Sequence, residues 1–226
     1  MRGTVRKVVA SPRNTEADRG QRRATFQRAN SHTTKQMLVH AAMALWRTNG
    51  YANTTVAEIC RGAGVSKALF YFYFPRKEDV LFEVGVMSTR SAQRTIAKLL
   101  ADDYDVMTVV GAALTALERS MSSNPRELVI ETILEGYRHE HRLLATGENR
   151  PDLDGGMFTT LFARAVADGK LPAGTDTDRL AHLAMMMVSE GARHWAAGAF
   201  GARSFADVVA SDIATLIAGS TGRRRP

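Results

Sequence analysis

A chain of 226 residues with 45% hydrophobic residues is long enough to bury one large core or two modest ones, which excludes a disordered or fibrous class. One cysteine, Cys60, excludes an intrachain disulfide framework, and no apolar run approaches the ~20 residues of a membrane span. Met1 to Ala10 lacks the continuous apolar stretch of a secretion signal, so a cytoplasmic, reducing location is expected. The net charge of +7 is unevenly spread: +6 over residues 1–32, +3 over 33–81, −5 over 82–222, and +3 from Arg223, Arg224 and Arg225. That split predicts a polyanion-binding amino-terminal end joined to an acidic body with a different task.

Residues 1–32 have few large apolar residues and many Arg, Thr, Ser and Asn, and read as a basic, disordered arm. Order is expected from Thr33, which with Gln36 has capping-box spacing. Leu38, Ala41, Ala42, Leu45 and Trp46 then form the stripe of an amphipathic helix that stops at Asn49-Gly50. A second helix opens at Thr55, boxed with Glu58, and runs to about Gly62; Cys60 on its apolar face reads as a small core residue. Ala63-Gly64-Val65 is a tight turn, Ser66 caps a third short helix, and Pro75 ends it. Two short helices across a glycine turn, braced by a third, make a helix-turn-helix.

The third helix holds five consecutive aromatics, Phe70 to Phe74, which by propensity alone suggest a strand. No neighbouring segment supplies a partner strand, and helical geometry separates the residues by role. Phe70 and Phe74, four apart, pack inward, while Tyr71 and Tyr73 keep hydroxyls able to reach phosphate oxygens. Lys67 lies at the helix start, where base edges are met.

Thr54-Thr55-Val56-Ala57-Glu58-Ile59, Ala63-Gly64-Val65-Ser66-Lys67, Phe70-Tyr71 and Phe74-Pro75-Arg76-Lys77-Glu78 together resemble the amino-terminal module of TetR-family bacterial transcriptional regulators, over about Thr34 to Leu81. The resemblance implies an all-α homodimer: a helix-turn-helix domain (33–81) followed by a helical ligand-binding and dimerisation domain (82–222), with a basic tail at 223–226. It implies a repressor released from a near-palindromic operator in double-stranded DNA by a small-molecule inducer, with no cofactor. By position, Thr55, Tyr71, Tyr73 and Lys77 look like phosphate contacts, while Ser66, Lys67 and Ala68 lie where such a recognition helix approaches bases. The family often has a small polar residue at Leu69 and His at Tyr73, so Leu69 either touches a thymine methyl or packs inward.

After Pro75 a long connector helix is expected from about Arg76 to Ala101, with Val80, Leu81, Val84 and Met87 on one face. Further helices are expected from Asp105 to Ser122, from Asn124-Pro125 through Tyr137, from Met157 to Ala167, from Asp176 or Thr177 to about Gly198, and from Phe205 to Ala218. Gly147 to Gly156 reads as a polar loop. Candidate ligand-binding residues are Tyr137, Phe158, Phe162, Met186, Glu190 and His194. Met186, Glu190 and His194 recur every four residues, and read either as a pocket stripe or as a dimer face, the latter favoured by the resemblance. Phe158 and Phe162 read as pocket walls or, preferentially, core.

No catalytic signature is present. Gly64-Val65-Ser66-Lys67-Ala68 lacks the final glycine of a serine elbow, and Gly62-Ala63-Gly64 lacks the third glycine of a dinucleotide loop. His139 and His141, two apart on a helix, point away from each other, so no metal is expected. The alternative function is non-specific DNA binding by the basic arm.

Overall fold

The computed structural model describes residues 16–146 and 156–221, with side chains from 33 to 146 and from 156 to 219. The arm ahead of residue 16, most of the 147–156 loop and the arginine tail lie outside the described residues. Nine α-helices and no strand occur among the described residues: α1 (Glu16–Asn49), α2 (Val56–Ala63), α3 (Lys67–Tyr73), α4 (Asp79–Leu99), α5 (Val106–Ser122), α6 (Arg126–Thr146), α7 (Thr159–Ala167), α8 (Thr177–Ala196) and α9 (Phe205–Thr221). A 3₁₀ turn, Gly156–Phe158, leads into α7.

The start of α1 corrects the expectation at Thr33. The helix begins at Glu16, so Thr33 and Gln36 lie inside it, no capping box opens there, and residues 16–32, expected as part of a disordered arm, belong to the helix. Residues 16–32 are rich in Ala, Arg and Gln, which are good helix formers, and no proline stands between Pro12 and Pro75 to stop the helix. The other starts follow their caps. Thr55, Ser66, Asp105 and Asp176 accept hydrogen bonds from the backbone N–H groups of Glu58, Leu69, Thr108 and Arg179. The connector is shorter than expected, because Arg76 to Glu78 form a turn ahead of α4.

Two apolar cores are built on one shared helix. Leu38, Trp46, Ile59, Phe70, Phe74, Val80, Leu81 and Val84 form the first, joined by Leu128 from α6. Further along, Ala92 and Ile96 of α4 enter the second, which α5, α7, α8 and α9 complete. Polar contacts fix the corners of the larger core. The Tyr104 hydroxyl donates to Asp168 at 3.0 Å, and the carboxylate of Glu118 on α5 accepts from the N–H groups of Phe205 and Ala206 at 3.0 and 3.1 Å. Glu118 thereby caps the first turn of α9 from a neighbouring helix.

The crossing of α8 over α9 is set by Gly191, where an added Cβ would stand 2.5 Å from Val209 Cγ2. Valine is stiff at this bond, so the two helices would have to move apart. Gly191→Ala is therefore expected to destabilise the protein by about 1–3 kcal/mol despite alanine's better helix propensity, seen as a lower thermal midpoint; an unchanged or raised midpoint would show that the crossing relaxes freely.

Candidate nucleic-acid interface and internal cavity

The helix-turn-helix is fastened at each joint by hydrogen bonds that the local sequence supplies. Glu58 accepts from the Thr55 N–H at 2.7 Å and from its hydroxyl at 2.8 Å, while the Glu58 N–H donates back to Thr55 Oγ1 at 3.3 Å. Those bonds from Thr55 hold the Glu58 carboxyl below its ordinary range. Gly64 sits at φ +68°, a left-handed conformation that costs glycine nothing, and the Val65 N–H closes the turn onto Cys60 O at 3.0 Å. Ser66 Oγ then accepts from the Leu69 N–H at 3.1 Å to start α3.

Within α3 the aromatics divide between core and solvent. Phe70 and Phe74 are buried, with ring centroids 5.7 Å apart, and anchor the helix to α1 and α4. Lys67, Ala68, Tyr71 and Phe72 are exposed, and their spacings of three and four place them on one outward face. Tyr73 and Leu69 are half-buried, and Tyr73 packs against the core. Phe72, at 77% exposure, had no expected role. The signal for it was its position four residues after Ala68, which puts both on one side of the helix.

Thr55 is exposed at the start of α2, with its hydroxyl engaged by Glu58; Ser66 is exposed at the start of α3. Lys77 is placed differently from the other expected DNA contacts. Its ammonium donates to the carbonyls of Tyr51 and Thr54 at 3.1 and 3.0 Å and lies 4.2 Å from the centre of the Tyr51 ring. It thus ties down the loop between α1 and α2. The Tyr51 hydroxyl donates to Glu78 at 3.1 Å, and burial, then the Glu78 charge, push the phenol pKa well above its ordinary value.

A cavity of about 350 Å³ lies among α4, α5, α6, α8 and the turn at Met157. Its wall is more apolar than its residue types suggest. The hydroxyls of Ser88, Thr89 and Thr132 all donate to carbonyls of their own helices, at 3.0, 3.0 and 2.8 Å, so much of what they present is hydrocarbon. Polar groups on the lining include Arg90, Gln93, Asn124 and His139, the last stacked on Phe82 at 4.0 Å.

Of the six candidate ligand residues, Tyr137 lines this cavity. Phe158 and Phe162 are fully buried in the larger core, 5.7 Å apart, and do not line it. Met186, Glu190 and His194 do not line it either: they lie on the exposed side of α8, where Glu190 pairs with Arg193 and approaches His194 at 3.1 Å. The inward residues are Met185, Val188, Ser189 and Ala192, turned by about 100° or more from that stripe. Of the two readings of the four-residue repeat, the pocket stripe is not the one this placement supports: Met186, Glu190 and His194 stand on an outer face of α8, and Met185, one residue earlier, takes the inward place. Among the described residues no group of three His, Cys, Asp or Glu could hold a metal ion, and no helix is long and apolar enough to cross a membrane.

The two parts of the chain are joined by side-chain bonds near the cavity. Arg47 Nε on α1 donates to Asn124 Oδ1 at 3.0 Å, and Arg76 donates to Glu135 on α6 at 3.0 Å. Burial alone would raise the Glu135 carboxyl, but hydrogen bonds from Arg142 and Arg76 outweigh it and hold the group below the ordinary carboxylate range.

The family model described as bacterial regulatory proteins, tetR family, matches residues 38–84. The transcriptional regulator EthR of Mycolicibacterium smegmatis is 36% identical over 70 residues, 31% of each chain. The fatty acid metabolism regulator protein of Bacillus subtilis is 28% identical over 121 residues, 44% of this chain and 60% of its own. The chain thus spans 31% and 60% of the lengths of these two curated relatives. Among solved structures, Thermus thermophilus FadR, a TetR-family repressor in complex with lauroyl-CoA, superposes with a TM-score of 0.67 at 23% identity, covering 85% of this chain and 97% of that one. Bacillus subtilis FadR in complex with stearoyl-CoA gives 0.53 at 18% identity, covering 81% and 98%. At these identities the superpositions show the fold.

The two lysines flanking the aromatic run should separate in a thermal melt. Lys77→Ala removes two hydrogen bonds to loop carbonyls and a ring contact, and is expected to cost about 1–3 kcal/mol. Lys67→Ala, on an exposed face, should stay within about 0.5 kcal/mol of the parent. Equal midpoints for the two variants would contradict the assignment of Lys77 to the loop.

Proposed function

Because the chain belongs, through its helix-turn-helix module, to the tetR family of bacterial regulatory proteins, we propose that it is a cytoplasmic, homodimeric transcriptional repressor that leaves its operator when an apolar small molecule fills the cavity. The observation that carries the DNA-binding part is the outward face of α3, where Lys67, Ala68, Tyr71 and Phe72 are free while Phe70 and Phe74 lock the helix from behind. Lys67 can donate to guanine edges, the Tyr71 hydroxyl to a phosphate, and the Ala68 and Phe72 surfaces can meet a thymine methyl. Two copies related by a twofold axis would put their α3 helices into major grooves about 34–36 Å apart, which calls for a near-palindromic site.

For the ligand we propose a long-chain fatty acyl thioester whose chain enters the cavity. Support comes from the apolar wall, from a volume at the lower end of the range for small-molecule sites, and from the acyl-CoA molecules named with the two FadR structures. A cavity of this size takes the acyl chain and leaves the nucleotide part outside. Filling it would favour whichever arrangement of α4 and α6 has room for the chain, and so shift the population away from the operator-binding one.

Selection from random duplexes with the full chain should return a palindrome, and Lys67→Ala should relax the preference at one position of each half-site at a cost of about 1–3 kcal/mol. Lauroyl-CoA should release the selected duplex whereas free coenzyme A should not. A selection with no enriched palindrome, together with a steep salt slope on any duplex, would favour non-specific binding driven by the +6 charge of residues 1–32. Release by neither compound, or equally by both, would remove the acyl chain from the proposal.

A further inference from the structure

Glu135 is a fully buried carboxylate in the middle of α6, and its surroundings are unusual for a residue with no expected role. Its Oε1 accepts from Arg142 at 2.7 Å and from Arg76 at 3.0 Å, while Oε2 has Arg138 at 3.6 Å and no hydrogen bond among the described residues. Arg76 comes from the other part of the chain. It stands three residues beyond the end of α3, directly after Phe74, which is buried, and Pro75, whose ring fixes its backbone torsion. The Arg76 N–H also donates to Asp79 Oδ2 at 3.0 Å, so the backbone of this turn is fixed to the start of α4 while its guanidinium reaches α6.

Each partner is satisfied without the other. Arg142, on the same helix, gives Glu135 a counter-charge and also stands 3.8 Å from Asp79, and Asp79 gives Arg76 a counter-charge from the start of α4. Burial of the carboxylate therefore does not require the bond to Arg76, and rupture of that bond leaves no isolated buried charge. A link of this kind can be made or broken between two packed arrangements at modest cost, which is the requirement for a joint that moves. On the same turns of α6, Thr132, Ile133, Gly136 and Tyr137 line the cavity, so the lining begins on the flank of the helix next to Glu135. A shift of α6 caused by an occupant would carry Glu135 with it.

We infer that Glu135 is a positioning residue for DNA recognition: by holding Arg76 it fixes the angle at which the body presents α3, and hence the spacing between the two recognition helices of a dimer. This inference rests on the operator-binding reading above. Its signature is a change in spacing tolerance without a change in half-site recognition, because the outward face of α3 does not include Arg76 or Glu135.

The test uses the full chain and three duplexes: a single half-site, the selected palindrome, and the palindrome with one base pair inserted at its centre. Arg76→Gln is the primary variant, because Glu135 keeps Arg142 and the body keeps its buried ion pair. Half-site affinity is expected to stay within about twofold of the parent. The penalty for the inserted base pair should fall by about tenfold, a typical coupling between two sites. Glu135→Gln should show the same loss of discrimination, the double variant no more than either single one, and Arg76→Lys a partial return. An unchanged insertion penalty in Arg76→Gln would overturn the inference. So would a loss of half-site affinity parallel to that on the palindrome, which would make Arg76 a DNA contact. A parent protein that shows no insertion penalty at all would overturn the operator reading itself, and the two failures are thereby distinguished.

Discussion

Everything in this fold depends on α4 being a member of both hydrophobic cores. Val80, Leu81 and Val84 pack with the residues that hold α3, and two to three turns later Ala92 and Ile96 pack with the larger helical body. A helix is stiff along its axis, so a displacement at one end is delivered to the other instead of being absorbed by a linker. The cavity lies along the stretch between these two sets of contacts, with Gly85 so near α6 that an added Cβ would sit 3.2 Å from Thr132 Cγ2. An occupant cannot widen that gap without moving one of the two helices.

Leu128 completes the joint from the other side. It belongs to α6 of the body, yet it is buried in the core of the helix-turn-helix, and it also lines the cavity. Apolar contact there, with Arg47 on Asn124 and Arg76 on Glu135 nearby, gives the domains an oriented seat. Apolar contact is non-directional, and the two arginines supply the direction.

The helix-turn-helix was legible in the sequence because its signals are local. Thr55 with Glu58, Gly64, Ser66 and Pro75 each act within four residues, and each falls where the chain bends or starts a helix. Helix limits in the body followed for the same reason, since Asp105 and Asp176 are capping residues. What could not be read was any property that depends on which side of a helix faces what. Met185 and Met186 are identical in type, and only the packing of α8 against α6 and the turn at Gly156 turns the first inward and leaves the second at 56% exposure. Lys77 next to Arg76 looked like one more cation for phosphate, while its role is decided by two loop carbonyls more than twenty residues earlier. Glu135 gave no sign at all, because a glutamate on a helix is ordinarily solvated and its burial comes from arginines at positions 76 and 142. The start of α1 was misplaced for a different reason: a capping pattern inside a continuous helix has the same spelling as one at its start.

The exposed edge of α3 also has a colloidal consequence. Tyr71 and Phe72 offer solvent two adjacent rings at 51% and 77% exposure. Lys67, four residues before Tyr71, gives that patch a positive neighbour, and the surrounding segment 33–81 carries a net +3. Like charge keeps the patches of separate molecules apart, the gatekeeping that basic residues give to sticky segments elsewhere. At 1 M salt the Debye length shrinks to about 3 Å and that protection is lost, so the same two rings become a cohesive patch.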